Sequence, residues 1–314
     1  MPLLSVVVIT YNHEKYIFDC LNGIFTQQVD FEVEVIIGDD CSTDTTQEII
    51  LNYLKSNPVS DRFQVILNFQ PKNLSSPPNI PGKLNFMSAL EKATGKYIAL
   101  CEGDDYWTDP LKLQKQVDFL ERNPGYVLTH HSIAEVDADG TNKKEVLKQN
   151  NQLKTQTQSI IIKNSIHTCS VVFRNVLTPL PNWFQKVTAG DRVMWILLSQ
   201  MGNFYAFEEV MGCYRLHSSS TWSSNSGMKT LKNSLRNSFV LNRSLKNKYA
   251  FYFFQSVIQD IYDALFKIRA EKKYLTYIFF LLLLTMFLPF AKNFSFKNLW
   301  NHGKFIFISL IDQK

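Results

Sequence analysis

Four short apolar runs, three of them β-branched and each separated from the next by a helix-patterned segment, constrain this chain more than any other feature. "SVVVI" (Ser5–Ile9), "VEVII" (Val33–Ile37), "FQVIL" (Phe63–Leu67) and "YIALC" (Tyr97–Cys101) are too short for helices and suit strands covered on both faces. Between the first two, Tyr16, Ile17, Cys20, Leu21, Ile24 and Phe25 recur with a helical period, which predicts an amphipathic helix over Glu14–Gln27. After the second, "CSTDTTQEIILNYLKSNP" offers Ser42 or Thr43 as an N-cap and Pro58 beyond the end of a helix. Helices over Leu84–Ala93 and Pro110–Arg122 continue the alternation, with Pro110 at the favoured first helical position. Strand, helix, strand, helix implies an α/β domain with a mainly parallel sheet.

In open α/β sheets ligands bind at the carboxyl edge of the strands, and three of these strands end in polar chemistry. "ALCEGDDYWTDP" places Glu102, Asp104 and Asp105 within four positions directly after a buried strand. Such crowding is tolerable around a hard divalent cation, because Mg²⁺ or Mn²⁺ takes one or two carboxylates together with phosphate oxygens. A solvated acidic turn satisfies the same stretch. "IIGDDCSTD" puts Asp39 and Asp40 at the same edge, where a carboxylate can accept hydrogen bonds from a base N–H or ribose hydroxyls. Asp-Asp-x-Ser is equally a good turn and N-cap. The first strand ends in Thr10, Tyr11 and Asn12, which add polar and aromatic groups to that edge.

Other features narrow the class. The net charge of +5 is concentrated over residues 226–273, a mild basic bias that does not indicate a nucleic-acid-binding protein. Five cysteines (Cys20, Cys41, Cys101, Cys169, Cys213) stand singly, which argues against a disulfide framework and a thiolate metal site and for a reducing compartment. The chain passes from Met1 into the first strand without a basic, apolar leader, so the catalytic part is expected in the cytoplasm. A P-loop, a GxGxxG turn, a GxSxG elbow and an HExxH helix are all missing from the sequence, which excludes the commoner nucleotide-hydrolysing, dehydrogenase, esterase and metalloprotease patterns.

Residues 142–158 are polar and read as an exposed loop or edge hairpin. "DRVMWILLSQM" (Asp191–Met201) reads as a helix closed by Gly202, "FYAFEEV" as a short strand, and residues 229–268 as basic helix. Tyr274–Ala291 carries no charged residue and is flanked by Lys272, Lys273 and Lys292. It can span or re-enter a membrane, lie in its interface, or pack as a buried helix; the flanking lysines and the aromatic "FKNLWNHGKFIFISL" favour membrane contact. The domains expected are 1–225, an α/β catalytic domain; 226–270, a basic helical region; and 271–314, an apolar tail that holds the protein to the inner face of the cell membrane.

Together, "VVVITYNHEKYIFDCLNGIFTQ", "VEVIIGDDCSTDTT" and "ATGKYIALCEGDDYWTDPLKLQKQVDFL" resemble the nucleotide-sugar glycosyltransferases of family 2, over about residues 3–220. The resemblance implies a GT-A fold, Rossmann-like with a mainly parallel central sheet, here with a C-terminal helical, membrane-associating extension. It implies that Thr10, Tyr11, Asn12, Asp39, Asp40 and Gly103 bind the nucleotide. Glu102-Gly103-Asp104 matches the family's Asp-x-Asp motif with Glu for the first Asp. Asp104 is then the metal ligand, Glu102 and Asp105 support it, and His217 of "CYRLHSSSTWS" approaches the metal or diphosphate. "AGDRVMWILLSQMG" resembles the segment carrying the catalytic base, which falls on Asp191, a position that also suits a plain helix cap. Trp107, His167, Ser170, Arg174 and Arg215 are candidates lining the donor and acceptor sides.

The activity implied is inverting transfer of a sugar from a nucleoside diphosphate sugar, UDP-linked by expectation, to a glycan or lipid-linked hydroxyl in surface polysaccharide synthesis, with Mn²⁺ or Mg²⁺ as cofactor. The partners expected are that donor, that acceptor and a membrane surface, with no nucleic acid. Two alternatives stand beside it: a sugar-nucleotide nucleotidyltransferase, against which the glycine-free turn "TYNHEKYIFD" speaks, and a non-catalytic scaffold of a polysaccharide assembly complex.

Overall fold

The computed structural model describes residues 2–57, 59–74, 82–141, 143–146, 157–162, 166–188, 190–217, 227–257 and 260. The chain divides into a unit of residues 1–257 and a second of residues 258–314. The membrane-contacting tail expected over 271–314 lies outside the described residues, among which no helix is long and apolar enough to cross a membrane.

The first half alternates as its sequence predicts: β1 (Leu4–Thr10), α1 (Ile17–Phe25), β2 (Val33–Asp39), α2 (Thr46–Ser56), β3 (Phe63–Phe69), α3 (Lys83–Leu90), β4 (Tyr97–Glu102), β5 (Tyr106–Trp107) and α4 (Lys112–Arg122). There follow β6 (Tyr126–Val136), β7 (Lys143–Val146), α5 (Thr157–Ile162), β8 (Val172–Arg174), α6 (Gly190–Leu198), β9 (Asn203–Arg215) and α7 (Gly227–Ser244). One sheet runs β3-β2-β1-β4-β8-β6-β9-β5, with β7 attached to β6. The first four strands in that order are mutually parallel, β6 and β9 are also parallel, and β8 joins the two groups by antiparallel pairing to β4 and β6.

Because side chains alternate across a strand, the near-continuous apolar runs feed two cores at once. Val7, Ile36, Ile98 and Leu100 point to one face, where they meet Ala89 and Leu90 of α3 and Val193–Leu198 of α6. Val6, Val8, Val35, Ile37 and Ala99 point to the other, against α1, α2 and α4. The parallel register sets Thr10 beside Asp39 and Ile9 beside Glu102, so the three polar strand ends share one edge.

The structure corrects several expectations. β3 is covered incompletely, because it closes the sheet and has a neighbour on one side only. Pro110 does not open α4: its carbonyl accepts the Gln28 N–H at 2.8 Å, which pins it to the α1–β2 loop, and the helix starts at Lys112. Neither Ser42 nor Thr43 caps α2. The helix starts at Thr46, whose N–H and hydroxyl both donate to Asp44 Oδ1. "FYAFEEV" belongs to a longer strand, Asn203–Arg215, that runs parallel to β6. β7 fits the edge hairpin expected within 142–158; most of that stretch lies outside the described residues.

Candidate active site

Two loops leave the carboxyl edge at β1 and β2 and lock onto each other. Asn12 takes φ of 54° and Cys41 φ of 60°, left-handed conformations that a non-glycine residue adopts only when its surroundings hold it there. The holding contacts are on view: Asn12 N–H donates to Ser42 Oγ at 2.9 Å, Thr43 N–H donates to Asn12 Oδ1 at 2.8 Å, His13 N–H donates to Thr46 Oγ1 at 2.8 Å, and Thr45 N–H donates to Glu14 Oε2 at 3.2 Å. Asp39 is spent on its own loop, accepting from Ser42 N–H at 2.9 Å, Ser42 Oγ at 2.5 Å and Gln47 Nε2 at 2.5 Å. Asp40 Oδ1 accepts the Leu74 N–H at 2.7 Å, and its own N–H donates to Thr10 O at 3.1 Å. Tyr11 stands 40% exposed at the rim.

The acidic loop after β4 packs onto the first of these loops through Gly103. A Cβ there would come within 2.7 Å of Thr10 Oγ1, 2.8 Å of Thr10 Cβ and 2.9 Å of His13 Nδ1, so glycine lets the acidic loop pack this closely against those two side chains. Gly103 N–H donates to Ile9 O at 2.8 Å. The loop is fixed from the other side by Arg215 at the end of β9. Its backbone N–H donates to Asp105 Oδ1 at 2.9 Å, Nε to Asp104 O at 3.0 Å, one terminal nitrogen to Ala138 O at 2.9 Å and the other to Asp19 Oδ2 at 2.9 Å. The guanidinium also lies over the rings of Tyr16 and Tyr106, 4.9 and 5.1 Å from their centroids.

Glu102, Asp104 and Asp105 each offer a carboxylate oxygen within 4.8 Å of the others. Burial, then the charges of Asp104 and Asp191, push Glu102 up to about 8. Burial, then Asp104 and Glu102, also push Asp105 upward, with the Cys169 thiol opposing, and its buried Oδ2 has no nitrogen or oxygen hydrogen-bond partner among the described residues. Asp104 goes the other way: burial opposes its ionisation, but the hydrogen bond to His217 Nε2 at 2.9 Å and the nearby His13, 3.8 Å away, hold it below the usual carboxylate range. An all-oxygen set with one unsatisfied buried oxygen, a neighbouring imidazole and mutual repulsion to be relieved fits a hard divalent cation. His13 is a residue that sequence reasoning did not single out; its one signal is its position three residues beyond a polar strand end.

Asp191 opens α6 as expected and lies close enough to Glu102 to raise it. Burial raises Asp191 itself, opposed by Arg192 and Lys83. Lys83, at the start of α3, is a second residue the sequence did not single out. Its Nζ lies 4.0 Å from the centroid of the Phe184 ring and 3.2 Å from where a Cβ on Gly190 would stand, and it has no hydrogen-bond partner among the described residues. Burial lowers it to about 8, with Asp191 opposing.

Of the remaining sequence candidates, Arg174 sits away from the acidic loop, whereas Trp107, His167 and Ser170 belong to the segments packed beside it. Arg174 pairs with Tyr97, at the amino end of β4, and spends its donors on Tyr126 O, Leu120 O and the Tyr97 hydroxyl, so it ties α4 to the sheet away from the acidic loop. Trp107 is buried beneath that loop with its Nε1–H donating to Cys169 O at 2.8 Å and the Lys112 ammonium 4.0 Å from its ring centroid. Ser170 is fully buried and donates to His167 O at 2.7 Å; the His167 ring lies 5.1 Å from that of Tyr214. All five cysteines are free.

Residues 5–179 match the profile of the family described as Glycosyl transferase family 2. An uncharacterized protein of Mycobacterium tuberculosis is 36% identical over 224 residues, covering 70% of this chain and 61% of the relative. The chain therefore matches about three fifths of the length of such relatives. A putative teichuronic acid biosynthesis glycosyltransferase of Bacillus subtilis, TuaG, is 31% identical over 68% of this chain and 79% of its own length. Among solved structures, Staphylococcus aureus TarS in complex with UDP-GlcNAc superposes with a TM-score of 0.55 at 19% identity, over 82% of this chain and 80% of that one, a likeness of fold.

Proposed function

The chain belongs to glycosyl transferase family 2, and from that premise we propose that it moves a sugar from a nucleoside diphosphate sugar to a hydroxyl of a glycan or lipid-linked glycan, with inversion, in the synthesis of a surface polysaccharide. One observation carries the reading. Asp104, kept ionised between His13 and His217, and Asp191, within the field of Glu102, frame the carboxyl edge at which the β1 and β2 loops stand.

In this reading the base and ribose lie over Thr10, Tyr11 and Asp40. The diphosphate faces Asp104, whose neighbours His13 and His217 supply imidazole nitrogens. Asp104 and Glu102, supported by Asp105, are the residues that would hold Mn²⁺ or Mg²⁺, and the chemistry such an ion would supply there is neutralisation of charge on a leaving diphosphate. Gly103 fixes where those carboxylates stand, and Arg215 keeps the loop from relaxing. Asp191 accepts the proton of the attacking hydroxyl as that oxygen approaches the anomeric carbon from the face opposite the diphosphate, a single displacement that inverts configuration. Asp191 is partly exposed, which leaves its carboxylate open to an incoming acceptor hydroxyl.

The names of the relatives support the donor and the setting: TarS is seen with UDP-GlcNAc, and TuaG carries a teichuronic acid name. The apolar tail, a membrane-anchoring segment in this proposal, would keep the site on the cytoplasmic side of a membrane-borne acceptor. The test is donor turnover. Incubated with UDP-GlcNAc and Mn²⁺, the full chain should release UDP slowly by hydrolysis, and D191N should bind UDP-GlcNAc unchanged yet release none above background. Full turnover by D191N would remove the base assignment, and release of pyrophosphate from a nucleoside triphosphate and a sugar phosphate would replace the reading with nucleotidyl transfer.

A further inference from the structure

Helix α7 carries a surface that the reaction does not use. From Val210 to Gln259 the sequence contains no aspartate or glutamate, while residues 227–248 hold Lys229, Lys232, Arg236, Arg243, Lys246 and Lys248. At 100° per residue, Ser238 and Leu241 of α7 fall on one side and are buried. Asn237 flanks them and accepts the Thr188 N–H at 2.6 Å and the Thr188 hydroxyl at 3.0 Å, which fastens that side of the helix to the segment leading into α6 and Asp191. The opposite side presents Lys232, Leu235, Arg236, Phe239 and Arg243 within a stripe roughly 100° wide. All five are exposed, Phe239 by 70% and Leu235 by 42%, and the three cations have no ion-pair partner among the described residues.

An outward stripe of this composition has two properties to reconcile. The positive charge asks for an anionic partner, and the large apolar side chains standing between the cations ask for somewhere dry. A soluble acidic polymer meets the first demand and leaves Phe239 and Leu235 in water. The headgroup layer of an anionic bilayer meets both, since basic side chains pair with phosphates while apolar ones reach the acyl boundary. We propose that the outer face of α7 is a docking surface for anionic lipid, lying flat on the membrane and fixed by Asn237 to the wall of the site that carries Asp191. The contact is distinct from any made by the apolar tail. Its consequence, presentation of the Asp191 side of the cleft to a lipid-borne acceptor, rests on the proposed transfer reaction; the lipid contact itself does not.

The test uses the full chain with its tail intact. Co-sedimentation with vesicles of phosphatidylcholine containing phosphatidylglycerol is compared for the unmodified protein, R236E/R243E and F239S, none of which alters the site. Reversing two surface-bound cations should weaken partitioning by at least about 30-fold, F239S should weaken it several-fold, and added salt should weaken the unmodified protein toward the charge-reversed variant. In F239W, anionic vesicles should shift the added indole emission to the blue, and vesicles of phosphatidylcholine alone should not. Partitioning of R236E/R243E equal to that of the unmodified protein would overturn the proposal, as would an F239W emission that does not move or a charge-dependent loss that soluble polyphosphate competes away with F239S unaffected. UDP release from UDP-GlcNAc in solution, measured on the same preparations, separates failure of this contact from failure of the transferase reading.

Discussion

Lys83→Met should make this protein more stable and less active, and the size of the first effect follows from the structure. The Lys83 side chain is 6% exposed, rests on Phe184, and has no hydrogen-bond partner for its ammonium among the described residues. Burial lowers it from 10.5 to about 8. At 1.36 kcal/mol per pH unit, that difference means the folded protein gives up about 3 kcal/mol to keep the group charged. The folded-state value lies below the unfolded one, so the penalty is complete below pH 8 and disappears as pH rises from 8 to 10.5, where the folded form loses its proton first. Methionine keeps the unbranched stem against Phe184 and removes the charge. Urea unfolding near pH 7 should therefore show K83M more stable by about 3 kcal/mol, with the gap falling below half of that by about pH 9.5. UDP release should fall in the same variant, because Lys83 is one of two cations opposing the upward shift of Asp191. Equal or lower stability of K83M near pH 7, or a gap that does not narrow with pH, would refute the reasoning that this lysine is held at a cost to the fold.

Asp191→Asn should lower transfer by about 100- to 10,000-fold, the range for loss of a general base, with donor affinity measured by calorimetry unchanged. Gly103→Ala should force the Thr10 and His13 side chains away from the acidic loop, lowering both thermal stability and Mn²⁺-dependent binding of UDP-GlcNAc; a variant that binds normally would show that this close packing is not needed. Arg215→Lys keeps one charge but cannot reach Asp104 O, Ala138 O and Asp19 together, so it should cost about 2 kcal/mol or more in unfolding free energy.

The alternation of β-branched runs and helical segments was enough to place β1 to β4 and to set three polar strand ends on one edge, since parallel pairing aligns carboxyl ends without any knowledge of side-chain contacts. The acidic group and Asp191 could be found in that way because each begins or ends an element. His13, Lys83 and the role of Arg215 could not. They act through contacts across 91, 108 and 111 residues of sequence, from His13 to Asp104, Lys83 to Asp191 and Arg215 to Asp104, and no local pattern carries that information. Arg174 shows the converse. It stands in the sequence beside plausible acceptor-side residues, yet its donors close the far end of the sheet. The β4–β8 register decided this, and pairing with a three-residue strand is too short to read from periodicity.

Accounting for hydrogen bonds then divides the charged residues of the site into those that build it and those left to act in it. Arg215 carries a full positive charge beside three acids, but its donors go to two carbonyls and Asp19, and Asp39 is a carboxylate whose two oxygens already receive three bonds. Neither can take up a substrate group without first breaking the loop it holds. Lys83 and the Oδ2 of Asp105 are deeply buried and make no such bonds among the described residues. A buried ammonium or carboxylate oxygen without a partner destabilises the protein that contains it, by 1–3 kcal/mol or more for a charged group. Folding alone gives no reason for two of them. In the proposed reading, a metal-bound nucleoside diphosphate sugar would bring a cation for the carboxylates and an oxygen-rich group for the lysine.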